Sequence, residues 1–192
     1  MKGDSRIRVG IVGCGAVTEH FHLPAAAKLE GLEIVALVDK DFARAEGLAR
    51  KYRIERVAQD YGRIMDEIDA AIIALPHRLH APVAIELLAR HKHVLIEKPM
   101  AVSREECEAL IRTSQQVEAV LAVGLMRRFL QSARWTKKIL EAGLLGRINS
   151  FDVREGSISS WPMASDFSLR REAAGGGVLI NNGSHTLDLI LW

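Results

Sequence analysis

Short aliphatic runs alternate with longer amphipathic stretches through the first two thirds of the chain. Ile7–Val12, Leu32–Val38, Ala70–Leu75, His93–Ile96 and Val120–Val123 are apolar at nearly every position, as strands buried on both faces are. Between them, Thr18–Leu29, Asp41–Tyr52, Ala81–Arg90 and Ser103–Val117 read as amphipathic helices, and Ser103 with Glu106 makes a capping box for the last. A further short strand is expected near Val57–Ala58. Alternation of this kind requires right-handed crossovers and predicts an α/β fold with a doubly wound parallel sheet.

The pattern changes after about Gly124. Ser132–Ala142 reads as a helix ending at Gly143, with Leu144-Leu145-Gly146 as the turn. Arg147–Glu155 alternates apolar and polar residues, which predicts an antiparallel strand with one covered face. Gly156–Ala174 reads as a loop, and one more helix leads to Trp192. Residues 1–124 are therefore expected to form one domain. Residues 125–192 read as a second that has only begun, because an apolar run such as Leu189-Ile190-Leu191-Trp192 would leave core surface exposed.

Composition adds bounds rather than a function. The 192 residues are 48% hydrophobic and 26% charged, enough for a sizeable core in a soluble globular protein. The net charge of +2 comes from interspersed residues, which argues against a nucleic-acid or membrane surface. The apolar runs are strand-sized, far short of a membrane span, and the N-terminus reads as a first strand rather than a signal peptide. Cys14 and Cys107 are the only cysteines and form no Cys-x-x-Cys pair. A reducing cytoplasm fits them best.

The chemistry-bearing residues stand at the ends of the expected strands. Gly13-Cys14-Gly15-Ala16-Val17-Thr18 supplies the first two glycines of a G-x-G-x-x-G turn, with Thr18 at the third position, where it is expected to loosen helix packing more than binding. The first glycine permits the tight turn, and the second lets a pyrophosphate approach the backbone and the following helix. Asp39 closes the second strand, where a carboxylate accepts from ribose hydroxyls and repels a 2′-phosphate, so NAD is favoured over NADP. It could equally cap the Asp41–Tyr52 helix, and Lys40 beside it tempers the cofactor choice. Leu75-Pro76-His77 ends the fourth strand and His80 opens the next helix, both histidines being expected to face the same cleft as Lys98. Glu97-Lys98-Pro99 puts an ammonium at a strand's carboxyl edge, where open α/β sheets bind ligands. Asn181, His185 and Asp188 share one face of an otherwise apolar helix, either as plain surface or as a site. His20 and His22 read as packing or surface residues. No thiolate or carboxylate completes a metal set with His77 and His80 or with His91 and His93, so no metal is expected.

These residues resemble the Gfo/Idh/MocA oxidoreductase family, which includes inositol dehydrogenases and glucose–fructose oxidoreductase. The resemblance runs from Arg8 to Trp192. It rests on Gly13-Cys14-Gly15, Asp39, Leu75-Pro76, His80, Glu97-Lys98-Pro99, Arg128-Phe129, Gly143-x-x-Gly146 and Gly175-Gly176-Gly177 through His185 and Asp188. It implies a Rossmann domain, then an open-faced α/β domain that often forms an oligomer interface, and hydride exchange between a nicotinamide cofactor and a sugar or cyclitol. By that similarity His185 is the general base, Lys98 binds the same oxygen, and Asn181 stands where the family usually has an aspartate. Gly13, Gly15, Ala16, Val17, Asp39, Leu75, Pro76, His80, Glu97 and Lys98 line the cofactor, and Arg128 lies where cofactor meets substrate. Family members are much longer than this chain. The contrasting expectation is therefore a non-catalytic, cofactor-binding or regulatory protein, with Asn181 and the missing sheet denying turnover.

Overall fold

The computed structural model describes residues 6–154, 166, 170 and 174–192. Six parallel strands form one sheet: β1 (Ile7–Val12), β2 (Leu32–Val38), β3 (Arg56–Ala58), β4 (Ala70–Ile73), β5 (His93–Ile96) and β6 (Leu121–Val123). Their order is β3-β2-β1-β4-β5-β6. The chain thus winds outward from β1 in one direction, returns, and winds outward from β4 in the other. That reversal leaves a crevice between the carboxyl ends of β1 and β4, the place where such sheets take up ligands.

Side-chain alternation explains why the buried stretches of the strands are almost wholly apolar. Val9 and Ile11 of β1, Leu37 of β2 and Ile72 of β4 pack on one face with Leu23, Ala45, Leu48 and Ala49. Val12, Ala36, Val38, Ala71 and Ile73 pack on the other with Ala84, Leu87, Leu88 and Leu110. Burial on both faces removes the polar positions that a half-exposed strand would show.

The helices are α1 (Leu23–Ala26), α2 (Phe42–Tyr52), α3 (His80–Ala89), α4 (Arg104–Gln116), α5 (Gln131–Glu141) and α6 (Ser184–Leu191). π-helical turns, Thr18–His22 and Leu179–Gly183, lead directly into α1 and α6. Such turns are rare and cluster at functional sites. Asp41 caps α2 by accepting from Arg44 N at 3.2 Å. Ser103 caps α4 by accepting from Glu106 N at 3.2 Å. The reciprocal half of the capping box is displaced, since the Glu106 carboxylate accepts from Val102 N at 3.1 Å.

The largest departure from the expected elements is Arg147–Glu155. Its described part, residues 147–154, forms no strand. An alternating pattern specifies which face is covered but supplies no partner for the backbone, and no neighbouring strand is present among the described residues. Most of the loop expected over Gly156–Ala174 lies outside the described residues.

Candidate functional site

The glycine turn is built by sterics. Gly13 has φ +104, and a Cβ added there would stand 2.2 Å from Ala74 O, so only glycine fits between the ends of β1 and β4. Its N–H donates to Val38 O at 2.8 Å. A Cβ on Gly15, in contrast, would meet nothing within 4 Å, leaving that main chain open to an incoming group. Thr18 does not loosen this corner, contrary to the sequence expectation. It is fully buried, and its hydroxyl donates to Gly13 O at 2.6 Å, tying the helix to the turn. Burial, with the nearby Asp39 charge, pushes the Cys14 thiol up to about 12, so it stays protonated.

Asp39 closes the other side of the turn. One carboxylate oxygen accepts from Cys14 N at 2.7 Å and the other from Asp41 N at 2.9 Å. The helix cap is therefore Asp41, and Asp39 ties β2 to the glycine turn. Each carboxylate oxygen has a second lone pair, so acceptance from a ribose hydroxyl remains compatible with this geometry.

The turn after β4 is fixed from beneath. His77 and His80 are both buried rather than open to the cleft. His77 Nδ1 lies 2.7 Å from Ala174 O, while His80 spans Leu75 O and Pro99 O, at 2.8 Å from each. Burial holds both histidines below their ordinary pKa, although the carbonyls facing them pull the other way. A neutral His80 ring donates to one of its two carbonyls. His80 thus shapes the Leu75-Pro76 and Pro99 backbones without presenting its ring to the crevice.

After β5, the Lys98–Pro99 peptide is cis. Lys98 Nζ donates to Asn181 Oδ1 at 2.8 Å and to Asn181 O at 2.7 Å. The two partners are 83 residues apart, and their contact joins the edge of the sheet to the π-helical turn before α6. Burial raises the Glu97 pKa, but a hydrogen bond and charge from His22, followed by Lys98, outweigh it and leave the carboxyl below its ordinary value.

The approach to α6 is again a glycine requirement. Gly175 has φ +73, and a Cβ there would stand 2.7 Å from Val102 Cγ1. Ala174 O beside it receives His77, so both neighbours dock on the sheet side. His185 is half-buried, one turn beyond Asn181. Asp188 accepts both Arg128 Nε, at 2.7 Å, and the Arg128 terminal nitrogen, forming a two-pronged pair that fastens residues Met126–Phe129 to α6. Arg128 is thus engaged by α6.

Lys98 and Asn181 meet directly, Asp39 and the glycine turn meet directly, and Arg128 reaches α6 through Asp188. Two contributors escaped the sequence reading. His22 Nε2 lies 2.9 Å from Glu97 Oε1, although 75 residues separate them. Gly124 flanks the same carboxylate, and a Cβ there would stand 3.2 Å from it. His22 follows Thr18 by four positions, but nothing in the local pattern announces a partner on β5.

A six-stranded sheet in this order, with a glycine turn at the switch point, defines a dinucleotide-binding Rossmann fold. Residues 7–125 match the Gfo/Idh/MocA oxidoreductase family, NAD-binding Rossmann fold, and residues 133–192 match the family's C-terminal domain. The chain belongs to the Gfo/Idh/MocA oxidoreductase family.

Among its relatives, 4-carboxy-2-hydroxymuconate-6-semialdehyde dehydrogenase of Sphingobium sp. is 33% identical over 97% of this chain and 58% of its own length. Inositol 2-dehydrogenase of Rubrobacter xylanophilus is 30% identical over 100% of this chain and 54% of its own. The crystal structure of myo-inositol 2-dehydrogenase from Lactobacillus plantarum superposes with a TM-score of 0.83 at 26% identity, over 98% of this chain and 56% of that one. A 3-ketoreductase from Actinomadura kijaniata, in complex with NADP and TDP-benzene, gives 0.79 at 27% identity, over 93% of this chain and 55% of that one. This chain spans about half the length of the curated relatives it matches. Among the described residues, no helix is long and apolar enough to cross a membrane.

Proposed function

We propose that this chain carries the cofactor-binding and proton-transfer residues of an NAD-dependent oxidoreductase acting on a secondary alcohol, or the matching ketone, of a sugar or cyclitol. The observation that carries the reading is the Lys98–Asn181 contact at the carboxyl edge of β5, one strand from the switch point. Inositol and glucoside dehydrogenases among the relatives support the substrate class.

Residues of the crevice fit a dinucleotide. Gly13 would make the turn that presents Gly15, Ala16 and Val17 to the pyrophosphate, as the bare space at Gly15 supports. Asp39 would accept from the adenosine ribose and repel a 2′-phosphate, which favours NAD. Leu75, Pro76, Glu97 and Lys98 would border the nicotinamide half, with His80 fixing the backbone beneath them and Arg128 near the substrate end. The nicotinamide supplies or accepts the hydride.

The protein's own part is proton handling. Lys98, held by Asn181, would orient the substrate oxygen and stabilise negative charge developing there. His185 would take the hydroxyl proton during oxidation and return it during reduction. We divide the chain near residue 124, a boundary supported by both apolar clusters lying at or before Val123. We read the protein as cytoplasmic, and as a homo-oligomer when joined to the rest of a family-length sheet.

NADH fluorescence titration, followed by NAD reduction assays over a panel of inositols and glucosides, tests the reading. Binding is expected of this chain and turnover of a family-length form, in which Lys98→Ala and His185→Ala should each lower kcat by about a hundred- to ten-thousand-fold. No NADH binding overturns it. Binding without turnover on any member of the panel favours the non-catalytic alternative.

A further inference from the structure

We infer that His22 is a positioning residue for Lys98. It acts through the Glu97 carboxylate, so that hydrogen bonds on either side of Lys98, linked through its side chain, join the helix leaving the glycine turn to the segment bearing His185. The inference deepens the function proposed above, and its dinucleotide part rests on that reading.

These contacts can be followed atom by atom. Thr18 anchors the helical turn to Gly13 O. Four residues on, His22 Nε2 donates to Glu97 Oε1 at 2.9 Å, since an ionised carboxylate only accepts. Glu97 Oε2 accepts the Lys98 backbone N–H at 3.2 Å. Lys98 Nζ then reaches both oxygens of Asn181. Three segments far apart in sequence, 13–22, 97–98 and the turn holding Asn181, are joined by these contacts.

The carboxylate has little freedom to make these contacts any other way. The side chains of His22 and Glu97 are only 16% and 17% exposed. Gly124 walls the carboxylate so closely that a Cβ would come within 3.2 Å. Charged and titratable groups face Glu97 from each neighbouring element: His22 from the first helix, Lys98 from its own strand end, and His80 from α3. A partly buried histidine–carboxylate contact is weak support for stability as such. Here it occupies the junction between the proposed pyrophosphate site and the proposed proton-transfer site. The π-helical turn Thr18–His22 changes the angle at which His22 leaves the helix, which a regular helix would set differently.

The test uses the 192-residue chain, with the Glu97 carboxyl, the Lys98 backbone amide and the Asn181 side-chain amide followed by NMR. His22→Ala should raise the proton affinity of Glu97 and shift the Lys98 and Asn181 signals. His22→Gln keeps a donor and should return those signals close to their original positions. Should His22→Ala fail to fold, Glu97→Gln provides the second route and should shift the same Lys98 and Asn181 signals. On saturation with NADH, the Asn181 amide should move in the unsubstituted chain and less than half as far in His22→Ala or Glu97→Gln. Unchanged Lys98 and Asn181 signals in these variants would overturn the inference. If the unsubstituted chain binds no NADH, the cofactor reading fails, and the ligand-free signals alone decide the role of His22.

Discussion

Gly13 and Gly15 stand two residues apart in one turn, yet substitution by alanine should separate folding from binding. At Gly13, a backbone with φ +104 costs an L-residue about 1–2 kcal/mol. The added Cβ would also lie 2.2 Å from Ala74 O, a backbone atom that can yield only by moving the end of β4. Overpacking of that kind costs about 1–3 kcal/mol. Together these give about 3 kcal/mol, which for a chain of this size lowers Tm by roughly 6–12 °C. At Gly15 the added methyl meets no chain atom within 4 Å, so Gly15→Ala should change stability by no more than about 1 kcal/mol. The same methyl would occupy the space offered to a pyrophosphate. Loss of charge-assisted contacts worth about 1.5–3 kcal/mol predicts NADH binding weaker by about ten- to a hundred-fold. Circular dichroism melts paired with NADH fluorescence titration measure both quantities. The reasoning is refuted if Gly13→Ala melts like the unsubstituted chain, or if Gly15→Ala melts lower while binding NADH normally.

Three further outcomes are expected. Asp39→Ala should weaken NAD binding about ten- to a hundred-fold and NADP binding less, and tighter binding of NADP than NAD by the unsubstituted chain would contradict the assignment. Asn181→Asp would put a carboxylate on the contact now 2.8 Å from Lys98 Nζ, favour the charged lysine, and move the Lys98-dependent limb of kcat/KM upward in pH. That comparison needs an active form, and superimposable profiles would show that the two are not electrostatically coupled. Stability should fall on acidification in two stages. His77 and His80, held below their ordinary value of 6.5 by burial, contribute stability that is complete above that value and is lost as pH drops through their lowered pKa. Asp69, lowered mainly by its hydrogen bond from Arg8, and Glu97 add a second loss below ordinary values of 3.8 and 4.5. Thermal melts from neutral pH to about pH 3 would show it, and a Tm that rises on acidification would reverse the sign of the argument.

How much of this could be read from the sequence depended on whether the cause was local. β1, β2 and β5 were legible to the residue, because burial on both faces leaves aliphatic residues at nearly every position. Gly13 was legible for the same kind of reason, a steric demand that one residue type meets. Arg147–Glu155 misled because alternation reports which face is covered, while strand formation also needs a partner backbone. Thr18 was misjudged because spacing showed a missing glycine but not the carbonyl its hydroxyl would reach. His22 was read only as a packing or surface residue, since its partner is set by the approach of the first helix to β5. The Arg128–Asp188 pair likewise joins residues 60 apart in sequence, a contact no local pattern announces.

Among the described residues, every buried apolar side chain lies at or before Leu110 except Ala174. The segment presenting Asn181 and His185 is held instead by polar contacts, chiefly Lys98 to Asn181 and Arg128 to Asp188. That separation bears on how such a chain can change over generations. Substitutions around Asn181 and His185 leave the apolar clusters of the sheet intact, so they draw little on the margin that keeps the sheet folded. Variation in the second segment can therefore accumulate and be sorted by its effect on the proposed chemistry, with the scaffold inherited unchanged.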